Sequence, residues 1–113
     1  MSCLFCRIAA GEIPATIVFE DDDLVAFEDL NPQAPMHVLV VPRAHIASVN
    51  DLASGHDVLV GGMVRRAAAI AAERGYAGPG FRTVFNCNAD AGQTVFHLHL
   101  HVLGGRPLAW PPG

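Results

Sequence analysis

Three imidazoles stand at two-residue spacing in the apolar run His97-Leu98-His99-Leu100-His101-Val102-Leu103. Side chains alternate across an extended chain, so the run predicts a β-strand with all three histidines on one face and Leu98, Leu100 and Val102 on the other. One face is set up for chemistry and the other for core. The three rings are poor ligands for a single metal, because alternate strand residues are about 6.6 to 6.8 Å apart and zinc to nitrogen bonds only about 2.0 to 2.1 Å. Divided labour follows. His99, flanked by two imidazoles, is the natural nucleophile or general base; it attacks through the nitrogen that lacks a proton, so its other nitrogen needs an acceptor such as a carbonyl. The flanking histidines can hold anionic oxygens or pass protons.

A second constellation, Cys3-x-x-Cys6, has zinc-ligand spacing and lacks two ligands, for which His45 and one member of the histidine row are candidates. A thioredoxin-type redox motif would need a strand before the first cysteine, and residue 3 leaves no room for it. The plain alternative is a pair of buried thiols. Cys87 has no partner in sequence and reads as packing. Gly92-Gln93-Thr94 supplies flexible backbone and a hydroxyl, which suits either a phosphate-binding loop or an ordinary turn.

The elements that must position these residues read as follows. Residues 3 to 10 give a turn and a short helix stopped by Gly11. Ile17 to Glu20 and Leu24 to Glu28 form a hairpin around Asp21-Asp22-Asp23. His37 to Val41 is a central strand ended by Pro42, and a long helix runs from Asp51 or Ser54 to Arg74, with Gly75 as its stop. Gly61 and Gly62 weaken that helix unless close packing, against the sheet or a second subunit, compensates. Phe81 to Asn86 and Thr94 to Leu103 supply the last strands. Strands, one long helix and further strands predict an α+β domain with a mostly antiparallel sheet covered on one face by the helix.

Bulk properties narrow the function. The 113 residues fit one domain, 1–113, and no stretch is apolar for long enough to cross a bilayer. The formal net charge is −4 and all seven basic residues are arginine without a basic stripe, which argues against duplex nucleic acid as a partner. Three cysteines make no disulfide framework, which points to a reducing compartment, with the cytoplasm as the default.

The row His97-Leu-His99-Leu-His101-Val-Leu resembles the signature of the histidine triad (HIT) superfamily. Asn31-Pro32-Gln33-Ala34-Pro35, His37-Val-Leu-Val-Val-Pro42, Ala91-Gly92-Gln93-Thr94-Val95 and Gly104-Gly105-Arg106 through Trp110-Pro111-Pro112-Gly113 are similar to its HINT branch, the histidine triad nucleotide-binding proteins. The resemblance covers nearly the whole chain in order. It implies a HIT-like fold with a five-stranded sheet, a short N-terminal helix and one long helix. It also implies a homodimer whose two sheets join, with the tail 106–113 near the active site and the dimer interface, and a purine nucleotide such as AMP or GMP bound beside the triad. By resemblance the nucleophile falls on His99, the phosphate-contacting histidine on His101, and the supporting histidines on His97 and His37. Asn86, Gly92, Thr94 and the Val95 backbone match phosphate-side positions, with Thr94 in place of the branch's usual serine. Asp29 matches the carboxylate that holds the ribose hydroxyls; Phe5, Ile8, Phe27 and Leu30 match the apolar clamp around the base, and Trp110 the leaving-group side. Members with an N-terminal CxxC place structural zinc on residues matching Cys3, Cys6, His45 and His97. No organic cofactor is implied. His56 matches nothing in the pattern and reads as a solvated residue near the helix start.

The activity implied is hydrolysis of the phosphorus–nitrogen bond of nucleoside 5′-phosphoramidates through a nucleotidyl-histidine. Two alternatives stand beside it: hydrolysis of dinucleoside polyphosphates, as in the Fhit branch, and a nucleotide-sensing or scaffolding dimer without catalysis.

Overall fold

In a computed structural model, which describes residues 3–113, the central strand of the sequence reading is β3 (Met36–Pro42), and every one of its residues is buried. It pairs antiparallel on one side with β2 (Leu24–Glu28) and on the other with β5 (Leu100–Gly104). β1 (Ile17–Glu20) and β4 (Phe81–Val84) are the edges, giving a wholly antiparallel five-stranded sheet in the order β1-β2-β3-β5-β4. The β1–β2 turn is pinned by Asp21, whose carboxylate accepts the Asp23 and Leu24 N–H groups at 2.8 Å each. That is the local chemistry that makes aspartate a turn residue.

The two faces of the sheet carry different cores. On one, Met36, Val38, Val40, Leu100 and Val102 pack against Met63, Ala67, Ile70 and Ala71 of α2 (Asp57–Glu73). On the other, Val25, Phe27, Leu39 and Val41 meet Phe5 and Ile8 of α1 (Leu4–Ala9). Gly11 (φ +76°) and Gly75 (φ +85°) take the left-handed conformation just past the two helices, as the sequence predicts.

Three boundaries differ from the sequence reading. The long helix starts at Asp57, after separate 3-10 turns at Val49–Asp51 and Ser54–His56, where the His56 Nδ1 accepts the Ala53 N–H at 2.9 Å. The strand expected over Phe81 to Asn86 ends at Val84. The strand expected over Thr94 to Leu103 begins only at Leu100, so His97 and His99 precede it. Pro42 accounts for the last correction. The N–H and C=O of a strand residue point to the same side, and Pro42 has no N–H to offer β5. Its carbonyl takes the His97 Nε2–H at 2.7 Å, and the Leu98 N–H turns to the Ile46 carbonyl. Alternation survives without the ladder: Leu98, Leu100 and Val102 lie in the α2-side core, and the three histidines face the other way. No helix among the described residues is long and apolar enough to cross a membrane.

Candidate active site

His99 sits among other rings at the centre of the row. The residue is 9% exposed, the Phe5 ring stands edge-on to its imidazole at 5.1 Å between centroids, and the His101 ring lies 5.0 Å away. Its Nδ1 donates to the His97 carbonyl at 2.7 Å. A carbonyl can only accept, so Nδ1 carries the proton and Nε2 presents a lone pair. This is the tautomer that the sequence reading requires of a nucleophile.

His101 carries the opposite polarity. The Gln33 backbone N–H donates to His37 Nδ1 at 3.0 Å, and His37 Nε2 lies 2.9 Å from His101 Nδ1. Because His37 Nδ1 must accept, the neutral ring is protonated at Nε2 and donates to His101, whose own proton then sits on Nε2. Both rings are neutral at pH 7. Burial, with the neighbouring His99 and His37, lowers the His101 pKa from 6.5 to about 4, and burial outweighs the Asp29 carboxylate in lowering His37. Asp29 Oδ2 is 3.4 Å from His37 Nε2, while its other oxygen accepts the Asn31 N–H at 2.8 Å. His99 therefore offers an electron pair and His101 a proton, side by side on one face. Asp29, His37 and His101 also bring three possible donor atoms within 4.8 Å, a closeness the hydrogen-bond chain itself accounts for.

His97 is separated from this pair. Its ring is wholly buried, Nε2 is held by Pro42, and Nδ1 faces Cys3 Sγ at 3.3 Å and Cys6 Sγ at 3.4 Å. His45 Nδ1 lies 3.4 Å from Cys6 Sγ, and the four donor atoms fall within 4.8 Å of one another. Cys3 caps α1, and the Cys6 N–H points at its sulfur at 3.5 Å, the orienting contact a thiolate ligand uses. Burial and the adjacent Cys3 push the Cys6 thiol up. With the Pro42 carbonyl fixing the His97 tautomer so that Nδ1 is free, these residues fit a metal ion held by two sulfurs and two nitrogens.

The remaining candidates fall in three groups. Phe5, Ile8 and Phe27 are buried core on the triad face, with the Phe5 and Phe27 rings 5.3 Å apart. Val95 packs against that core from the loop that carries Gly92 (φ +83°) and the exposed Thr94, and Asn86 is half-buried just beyond β4. Leu30 (92% exposed) and Trp110 (83% exposed) stand in solvent within the single chain. Arg82 of β4 binds the tail, donating to the Leu108 and Ala109 carbonyls.

Sequence reasoning gave Gln93 no task of its own, yet it braces this loop. Its Oε1 accepts the Asn88 N–H at 2.8 Å, and its Nε2 donates to the Ala47 and Val95 carbonyls at 2.9 and 3.1 Å. A buried carboxamide between exposed Gly92 and Thr94 is the sign of such a role, and it needs the burial to be seen.

The family model described as scavenger mRNA decapping enzyme C-term binding matches residues 2–107. The chain is 46% identical over 105 residues to the purine nucleoside phosphoramidase of Escherichia coli K12, covering 93% of this chain and 88% of that protein. It superposes on a HIT family hydrolase from Legionella pneumophila Philadelphia 1 with a TM-score of 0.98 and 51% identity, over 99% of this chain and 100% of that one. A Zn-bound histidine triad family protein from Mycobacterium smegmatis is similar at a TM-score of 0.81 and 35% identity, over 94% of this chain and 76% of that one.

Proposed function

The chain belongs to the histidine triad family, in its HINT-like branch, and is a hydrolase; from that premise we propose that its substrates are purine nucleoside 5′-phosphoramidates. The observation that carries the reading is the paired polarity of His99 and His101. The His99 Nε2 lone pair attacks the α-phosphorus, forming a P–N bond to the ring as the bond to the leaving amine breaks. His101 Nε2–H, held in that tautomer by His37 and the Gln33 N–H, gives its proton to the departing nitrogen, which leaves as the neutral amine. Water then attacks the phosphorus, giving one proton to His101 Nε2 as the bond to His99 Nε2 breaks, and both rings return to their starting tautomers. Thr94 and the backbone of Gly92 and Val95 serve the phosphate, Asp29 the ribose, and Phe5, Ile8, Phe27 and Leu30 the base.

Zinc is the metal proposed for Cys3, Cys6, His45 and His97. Four protein ligands leave no open position, so its part is structural: it ties α1 to the segments that follow β3 and precede β5. The proposal includes a homodimer. β4 is an edge strand, and a Cβ added at Gly61 or Gly62 on α2 would meet nothing within 4 Å, so packing inside the chain does not explain those glycines. A second copy across the β4 edge, beside which Arg82 holds the tail, would also give Trp110 a neighbour. Three free cysteines suit the cytoplasm.

The test is hydrolysis of a fluorogenic adenosine phosphoramidate by the protein, by His99→Ala and by a chelator-treated sample. Expected are turnover by the wild type, a loss of about 10³-fold or more in the variant with nucleotide affinity retained, and turnover that survives the chelator at saturating substrate. Normal turnover by His99→Ala would sink the assignment. Preference for a dinucleoside polyphosphate would move the reaction to phosphoanhydrides on the same residues.

A further inference from the structure

Residues 97 to 99 precede β5, so no ladder fixes the backbone on which His99 depends. Three other contacts do, and each leads back to the cysteine–histidine cluster. The carbonyl that sets the His99 tautomer belongs to His97, whose ring is in the cluster. The Leu98 N–H is held at 2.6 Å by the carbonyl of Ile46, the neighbour of the cluster residue His45. The Phe5 ring that packs against His99 lies on α1 between Cys3 and Cys6, and α1 has only six residues, too few to be stable without tertiary anchors.

We infer that His97 is a positioning residue through which occupancy of the Cys3–Cys6–His45–His97 cluster and occupancy of the His99 pocket are coupled. This rests on the pocket's being a nucleotide site, as proposed above. An ion on the four donors would hold α1, residue 45 and residue 97 together, and the same hold would keep the His97 carbonyl and the Phe5 ring against His99, where they already lie. A ligand that needs His99 in that pose binds the loaded protein more tightly. Linkage then requires the ligand to tighten metal binding by the same factor.

Two measurements on the zinc-loaded full chain test this. Amide hydrogen exchange, followed residue by residue before and after chelation, reads the segment without any nucleotide. The expected result is faster exchange at Leu98, by about tenfold or more, while the Val38 to Val41 amides of β3 stay protected. Competition with a chromophoric chelator, with and without saturating AMP, reads the coupling; AMP is expected to raise zinc affinity by about fivefold or more, matched by the gain in AMP affinity on zinc loading. Unchanged exchange at Leu98, or loss of protection throughout the chain on chelation, overturns the inference, the second because it makes the metal a stabiliser of the whole fold. Equal zinc affinity with and without bound AMP overturns the coupling. If AMP does not bind the loaded protein at all, the nucleotide reading fails, and the exchange result alone decides the link between cluster and segment.

Discussion

The two faces of the sheet are built from alternate residues of the same strands, yet they are ordered by different forces. Under α2 the contacts are apolar and non-directional: Val38, Val40, Leu100 and Val102 bury themselves against Met63, Ala67 and Ile70, and shape alone selects the arrangement. On the triad face a six-residue helix gives partial cover, and order comes from hydrogen bonds with a sense: Gln33 to His37, His37 to His101, His99 to the His97 carbonyl, His97 to Pro42. Packing fixes where a ring sits. Directed bonds fix where its proton sits, and the proposed chemistry needs the second.

That contrast can be broken from either side. His101→Ala removes the proton donor at the end of the chain; turnover of the phosphoramidate is expected to fall by about 10²- to 10⁴-fold, with the melting temperature little changed. A variant with near-normal kcat would show that the directed chain is ornamental to the reaction. Ile70→Ala does the reverse. It opens a cavity beneath α2 and is expected to cost about 2–5 kcal/mol in denaturant unfolding, while KM and kcat of the remaining folded protein stay close to wild type. A large change in kcat there would mean that the faces are not separable.

The smallest effect is in pH. The unfolded His101 takes up its proton near its ordinary value of 6.5, but the folded ring holds out until about 4. Between these values the unfolded chain binds more protons than the native one, so stability falls as pH drops from 6.5 and levels off near 4. His37 is shifted in the same direction. Thermal unfolding followed across this window should slope downward toward acid, with a shallower slope in His101→Asn. Identical slopes would mean that the buried rings do not resist protonation.

The apolar face was the more legible in sequence, because burial writes itself as periodicity: the hairpin and the central strand lie where their patterns put them, and so does the long helix apart from its start. The start of β5 was not. Alternation over Thr94 to Leu103 records which way side chains face, which an extended chain without neighbours also obeys, and only the register that sets Val40 against Leu100 shows that two residues further along Leu98 would face a proline. The role of each histidine was legible as far as type and spacing go. Which nitrogen carries which proton depends on the carbonyls of His97 and Pro42 and the N–H of Gln33, backbone groups that every residue has and no pattern marks. The brace made by Gln93 was hidden for the same reason.

The one-by-one interleaving of histidine and apolar residue from 97 to 102 also bears on how this chain could have changed over evolution. Point substitutions can retune the core without touching the reactive rings, or the rings without touching the core, so each can drift on its own. A single inserted or deleted codon within the row has no such freedom, since it would trade the two faces from that point on. The segment is tolerant of spelling and intolerant of frame.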